Sequence, residues 1–152
     1  MCMETTSQNQ IKHSNYQEQF KRLDKALKNQ FYLEAIFIEY AIIEDRTESI
    51  LKYEGNAIKS DNFVSLDRKI SKINTIAREK KTLPAKYFDE AFLDSILVWK
   101  NERNRMIHAL MKQSLTSNDL ESLAFIGKSL AKALCTKSTS YKRAVERKNA
   151  NK

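Results

Sequence analysis

Within the stretch Arg103-Asn104-Arg105-Met106-Ile107-His108, an arginine and a histidine stand five residues apart, with an asparagine directly after the arginine. Side chains of these types can handle a phosphate ester without a metal. A guanidinium offers five N–H donors in a fixed fork that matches phosphate oxygens, and an imidazole is the side chain that ordinarily takes or gives a proton near neutral pH. Arg103 and His108 are therefore the candidate catalytic side chains. Lys100, Arg105 and Lys112, close by in sequence, read most simply as a solvated face, and as contacts to a phosphate backbone if the pair acts on one.

The position of the pair in the hydrophobic pattern adds to this. Phe92, Ile96, Trp99, Met106 and Leu110 recur at steps of four, three, seven and four, the register of one apolar stripe on a helix, and Arg103 fills the gap in that stripe. At about 100° per residue, Arg103 points between Trp99 and Met106, while His108 lies about 140° round the helix on a row with Lys100, Asn104 and Lys112. A guanidinium on an apolar stripe needs a carboxylate, a phosphate or a water-filled cleft. Trp99, one turn earlier, reads as a core residue that can also stack on the guanidinium.

The elements that must hold this helix read as an all-α chain. Two glycines and one proline in 152 residues are too few for the turns of a multi-stranded sheet, whereas good helix formers are plentiful. The expected architecture is an antiparallel bundle of about five helices in one domain, residues 15–136. Residues 1–14 are expected to be a disordered N-terminal segment, and residues 137–152 a basic C-terminal extension, frayed or disordered.

Tyr16, Phe20, Leu23 and Leu27 mark a first helix, interrupted at Asn29-Gln30. The second runs from Phe31 to about Tyr53, with Leu33, Ile36, Phe37, Tyr40, Ile43, Thr47, Ile50 and Leu51 as its packed face and Gly55-Asn56 as its stop. Glu39 and Glu44 flank that face, where one of them could face Arg103, the alternative being ordinary exposed i,i+4 pairs among Glu39, Glu44, Arg46 and Glu48; Asp45 and Glu48 turn to solvent. A third helix carries Phe63, Leu66, Ile70, Ile73 and Ala77, with Ser60 or Asp61 as its cap. The motif helix follows Pro84 and ends near Lys112. Asn118 and Glu121 have the spacing of a capping box for a last helix striped by Leu120, Leu123, Gly127, Leu130 and Leu134, where Gly127 permits a close helix approach.

Residues 1–99 carry 15 basic and 15 acidic side chains and residues 100–152 carry 12 and 4, so the whole formal charge of +8 sits in the part that contains the motif. Such a field attracts polyanions, nucleic acid foremost. Cys2 and Cys135 make no disulfide framework, and no Cys/His cluster has zinc-site spacing. There is no apolar leader and no run of 18 apolar residues, so a cytoplasmic protein with no membrane span, no metal and no cofactor is expected. The absence of a glycine-rich phosphate loop or a metal-spaced carboxylate set argues against nucleotide-hydrolysing and metal-dependent classes.

An all-helical domain of this size, with Arg103-Asn104 followed by His108 near the end of its penultimate long helix and an acid-bearing second helix, resembles the HEPN superfamily. The resemblance covers roughly residues 16–134. It implies a metal-independent endoribonuclease, often a toxin or defence protein with an antitoxin partner, that works as a homodimer with one composite site where two motif helices meet. In that scheme His108 moves a proton at the ribose 2′-OH or the leaving 5′-oxygen, Arg103 holds the phosphate, and Asn104 orients the imidazole or the phosphate. One branch of the family carries a tyrosine two residues after the histidine, the target of a modifying antitoxin; this chain has Leu110 there. Other members are non-catalytic dimers that bind nucleic acid, a nucleotide or a protein, and that alternative stays open at this point.

Overall fold

In the computed structural model, which describes residues 2–56, 58–59, 62–79 and 83–152, the described residues form six helices and no strand. They are α1 (Cys2–Lys28), α2 (Tyr32–Tyr53), α3 (Leu66–Glu79), α4 (Leu83–Tyr87), α5 (Glu90–Ala109) and α6 (Ser117–Ala150). None of them is long and apolar enough to cross a membrane.

The breaks follow local chemistry. After α1 the chain turns at Gln30, the one non-glycine residue with positive φ (60°) among those described, and the Phe31 N–H returns to the Ala26 carbonyl at 2.8 Å. α2 ends as expected at Gly55 (φ 73°) and Asn56, whose N–H bonds the Leu51 carbonyl at 2.9 Å, so both ends satisfy carbonyls that a helix leaves free. The motif helix is split from the segment containing Pro84: Asp89 caps α5 by accepting from the Phe92 N–H at 2.7 Å. The box at the start of α6 is made by Thr116 and Asp119, two residues earlier than Asn118 and Glu121, because Thr116 is the residue with extended backbone there.

Helix α2 is the hub. Helix α1 runs antiparallel to it, with Arg22 reaching Glu34 (3.2 Å) at one end and Lys12 reaching Ser49 (3.0 Å) at the other. Helix α3 is fastened by Lys69, only 3% exposed, whose ammonium lies 3.2 Å from Glu44 and 2.5 Å from Glu48. Helix α6 runs parallel to α2, since Glu39 faces Gly127 and Tyr53 faces Lys142; α5 runs antiparallel to α6, with Phe92 near Lys137 and Trp99 bonded to Leu123. The bundle is thus all-α as expected, but it is not antiparallel throughout.

Three boundary expectations are corrected. Residues 2–14 continue α1 rather than forming a disordered segment; Gln, Lys and Asn residues with no glycine or proline sustain the helix, and Lys12 ties it to Asp45 and Ser49 of α2. Residues 137–150 belong to α6, not to a separate tail. Their stripe continues through Ser138, Tyr141 and Val145, and the buried Tyr141 ring meets Phe88 edge-on at 5.3 Å. Phe63 is 90% exposed and lies before α3, so it is no part of that helix's stripe; Ser60 and Asp61 fall outside the described residues, and Ser65 caps α3 by accepting from the Arg68 N–H at 3.4 Å.

The packed face of α2 is also turned from the expected one. Leu33 and Phe37 are exposed, whereas Ile38 and Ile42 are buried, because α1, α3 and α6 cover α2 from three sides and leave only a narrow solvent arc. Asp45 is half-buried rather than solvent-facing: it accepts from Tyr16 and from Lys12 (3.0 Å) and Arg46 (3.2 Å). Burial raises its pKa, but these partners outweigh that and hold the carboxylate below its usual range.

Candidate functional site

Arg103 sits where the stripe placed it, half-buried on α5 between the buried Trp99 and Met106. Its guanidinium lies over the Tyr40 ring of α2, carbon Cζ 4.3 Å from the ring centroid, and Nη1 donates to Asn104 Oδ1 at 2.9 Å. Nε is buried and has no hydrogen-bond partner among the described residues. No described carboxylate pairs with Arg103, so neither Glu39 nor Glu44 faces it. The aromatic face lowers the cost of holding the charge there without neutralising it.

The two acids have other work. Glu44 binds Lys69. Glu39 is completely buried, with neither carboxyl oxygen bonded among the described residues, packed beneath Gly127 and beside Trp99. Burial pushes its pKa up to about 9, with the charge of Lys128 pulling it back only in part. At neutral pH Glu39 is therefore a neutral acid. Trp99 is held by its indole N–H, which donates to the Leu123 carbonyl at 2.9 Å, so it is a core residue spanning α5 and α6 next to the Arg103–Tyr40 stack.

His108 lies in the last turn of α5, one residue from its end, exposed, and its ring has no hydrogen-bond partner among the described residues. Within one chain α5 does not bring it face to face with Arg103, because five residues amount to about 140° of rotation and about 7.5 Å of rise. Asn104 bonds to Arg103 and not to His108. Of the three candidate phosphate contacts, Lys100 is held by Asp67 of α3 at 2.5 Å and Arg105 by Glu102 in a two-point pair at 3.0 and 2.5 Å, while Lys112 is exposed and free of any described partner. The site gathered in one chain is thus Arg103, Asn104 and Tyr40, with His108 about 140° round the helix from Arg103 and Lys112 beyond the end of α5.

Sequence reasoning placed Tyr40 on the packed face and missed it as the platform under Arg103. The available signal was an aromatic residue on the acid-bearing helix opposite a charge in an apolar stripe. Among the described residues, no three His, Cys, Asp or Glu side chains are grouped so that they could hold a metal ion.

The state of Glu39 makes a prediction. A carboxyl whose folded pKa exceeds its ordinary value of 4.5 contributes stability that is complete below that value and is lost as the pH rises toward 9. The difference in unfolding free energy between wild type and Glu39→Gln should therefore move in favour of the variant by up to about 1.4 kcal/mol per pH unit between pH 5 and 9. Urea titrations of both proteins across that range check it; parallel pH profiles would contradict a neutral Glu39.

Compared with known proteins, the chain matches no family model, no curated protein and no solved structure.

Proposed function

We propose that this protein is a metal-independent endoribonuclease of the HEPN kind, acting on RNA through a composite site in a homodimer, and serving in the cytoplasm as a toxin or defence protein restrained by an antitoxin partner. The observation that carries the reading is the guanidinium of Arg103: it is half-buried on an otherwise apolar stripe, stacked on Tyr40 and paired with no described acid. A structural arginine in such a place is ordinarily neutralised by a carboxylate; one without an acid can take a phosphate as its counter-charge instead. The basic C-terminal third surrounding it favours a polyanionic substrate.

The division of labour follows from the side chains. Arg103 holds the scissile phosphate and the charge that develops on it, with Asn104 fixing the plane of the guanidinium. His108 moves the proton between the 2′-oxygen and the leaving 5′-oxygen. Because one α5 points the two groups in different directions, the second copy of the motif supplies the missing partner across the dimer axis. Exposed apolar side chains on the two helices that carry Arg103 and Tyr40, namely Leu33 and Phe37 on α2 and Ile107 on α5, support a surface that a second subunit would cover.

Purified protein incubated with mixed single-stranded RNA in EDTA is expected to cut it, and to leave DNA of the same sequence intact for want of a 2′-OH. Loss of cleavage on chelation would contradict the reading. A second reading, a non-catalytic helical dimer that binds nucleic acid or a protein partner, is favoured by the absence of any described partner that would fix the His108 ring; it predicts salt-sensitive binding with an unchanged RNA pool.

A further inference from the structure

On the α1 side of α2, away from Arg103, the helices splay into a groove of about 1120 Å³ to which α5 contributes no residue. Its walls are residues from Gln8 to Asp24 of α1, the C-terminal half of α2 and the C-terminal half of α6, and the α1 wall is about 24 Å long at 1.5 Å per residue. We propose that this groove is a binding site for single-stranded nucleic acid, distinct from the Arg103 site.

The first argument is charge. Lys12, Lys21, Arg46, Lys52 and Lys142 line the groove against only Asp24 and Glu146. Lys12 and Arg46 share a single carboxylate, Asp45, and Asp24 is already held by Lys128 at 2.7 Å. Lys21, Lys52 and Lys142 come from three different helices and pair with no described carboxylate. A concave surface with this surplus concentrates anions and focuses their approach.

The second argument selects among anions. The groove is aromatic as well as cationic: Tyr16 and Phe20 on α1 are half-buried against the core, Tyr16 with the Arg46 guanidinium 4.1 Å over its ring, whereas Tyr53 on α2 is 39% exposed, with the Lys142 ammonium 5.3 Å from its centroid. An acidic peptide would use the ammonium groups and leave the exposed Tyr53 ring idle. A duplex keeps its base faces stacked inside and offers only phosphates. A single strand presents both, with bases to stack on rings and phosphates to meet cations, and it is the ligand for which the mixed lining is complementary. The groove does not rest on the ribonuclease reading, because binding there requires neither Arg103 nor His108.

The test uses the full chain and a short fluorescein-labelled oligothymidylate, which lacks a 2′-OH and so cannot be consumed by the proposed cleavage. Anisotropy titrations at several salt concentrations should give saturable binding. The combined Lys21→Ala, Lys52→Ala and Lys142→Ala variant should bind at least about ten-fold more weakly, and its dependence of log affinity on log salt should be shallower by about two, from roughly 0.7 per lost phosphate contact. Tyr53→Ala should weaken binding about five-fold or more at an unchanged salt slope. These side chains lie at the surface, and circular dichroism of the variants verifies the helices. The proposal is overturned if wild type does not bind, or if the triple-lysine variant keeps wild-type affinity and slope. It is equally overturned if an oligoglutamate peptide displaces the strand at matched charge while Tyr53→Ala has no effect, which would give the groove to an acidic peptide. None of these outcomes depends on whether the wild type cuts RNA.

Discussion

Gly127→Ala is expected to lower the stability of the bundle by roughly 1–3 kcal/mol, the range for overpacking a filled core, even though alanine is ordinarily the better helix former by about 1 kcal/mol. A Cβ at this position would lie 2.1 Å from Glu39 Oε2 and 2.7 Å from Trp99 Cζ2. Neither neighbour yields freely. The Glu39 carboxyl is enclosed on all sides, and Trp99 is tethered through its indole N–H to the Leu123 carbonyl. The physical cause is the close approach of α6 to α2, with Glu39 and Trp99 packed at the crossing. A chain of this size should lose roughly 3–10 °C of thermal midpoint. Combining Gly127→Ala with Glu39→Ala removes the tighter of the two clashes, so the double variant should be less destabilised than the sum of the single ones by about 1 kcal/mol or more. Strict additivity in chemical denaturation would show that the crossing is looser than described.

His108→Ala is expected to reduce RNA cleavage by roughly 10²–10⁴-fold, the usual contribution of a positioned acid–base group, with no loss of fold because the ring is exposed on α5. Arg103→Ala should cost a comparable roughly 10²–10³-fold through lost charge stabilisation. Arg103→Lys should not restore the rate, since an ammonium keeps the charge but lacks the planar fork that stacks on Tyr40 and bonds Asn104. Arg103→Ala and Arg103→Lys therefore separate geometry from charge. Rates measured on a single labelled RNA, beside the urea midpoint of each variant, distinguish catalysis from folding. Full activity of His108→Ala would remove the histidine from the mechanism.

Much of this architecture was legible in the chain because periodicity and punctuation agreed. The stripe through Ile96, Trp99 and Met106 is buried as its spacing required, Gly55 and Asn56 end α2, and Gly127 is a point of close helix approach. Where the reading failed, a polar residue concealed a buried face or an apolar one lay outside it. Ser138 and Tyr141 continue a stripe that looks exhausted after Leu134, and Phe37 looks like core but faces solvent because three helices had already claimed the rest of α2. The candidate site was half legible. Arg103 could be singled out from the break it makes in an apolar register, but its partner could not. A carboxylate was the natural counterpart in sequence, whereas the fold sets Tyr40 beneath the guanidinium and seals Glu39 against Gly127 one residue away. Register along a helix says which residues share a face; it does not say which of two adjacent positions on a neighbouring helix will be met, because that depends on a helix rotation of about 100° per residue.

The central claim, that Arg103 and His108 cleave RNA by using its own 2′-hydroxyl, is tested most directly by the chemistry of the product ends. After digestion of a defined single-stranded RNA in EDTA, the fragments should carry a 2′,3′-cyclic phosphate on one side of the cut and a 5′-hydroxyl on the other. Fragments ending in a 3′-hydroxyl and a 5′-phosphate, or no fragments at all, would contradict it.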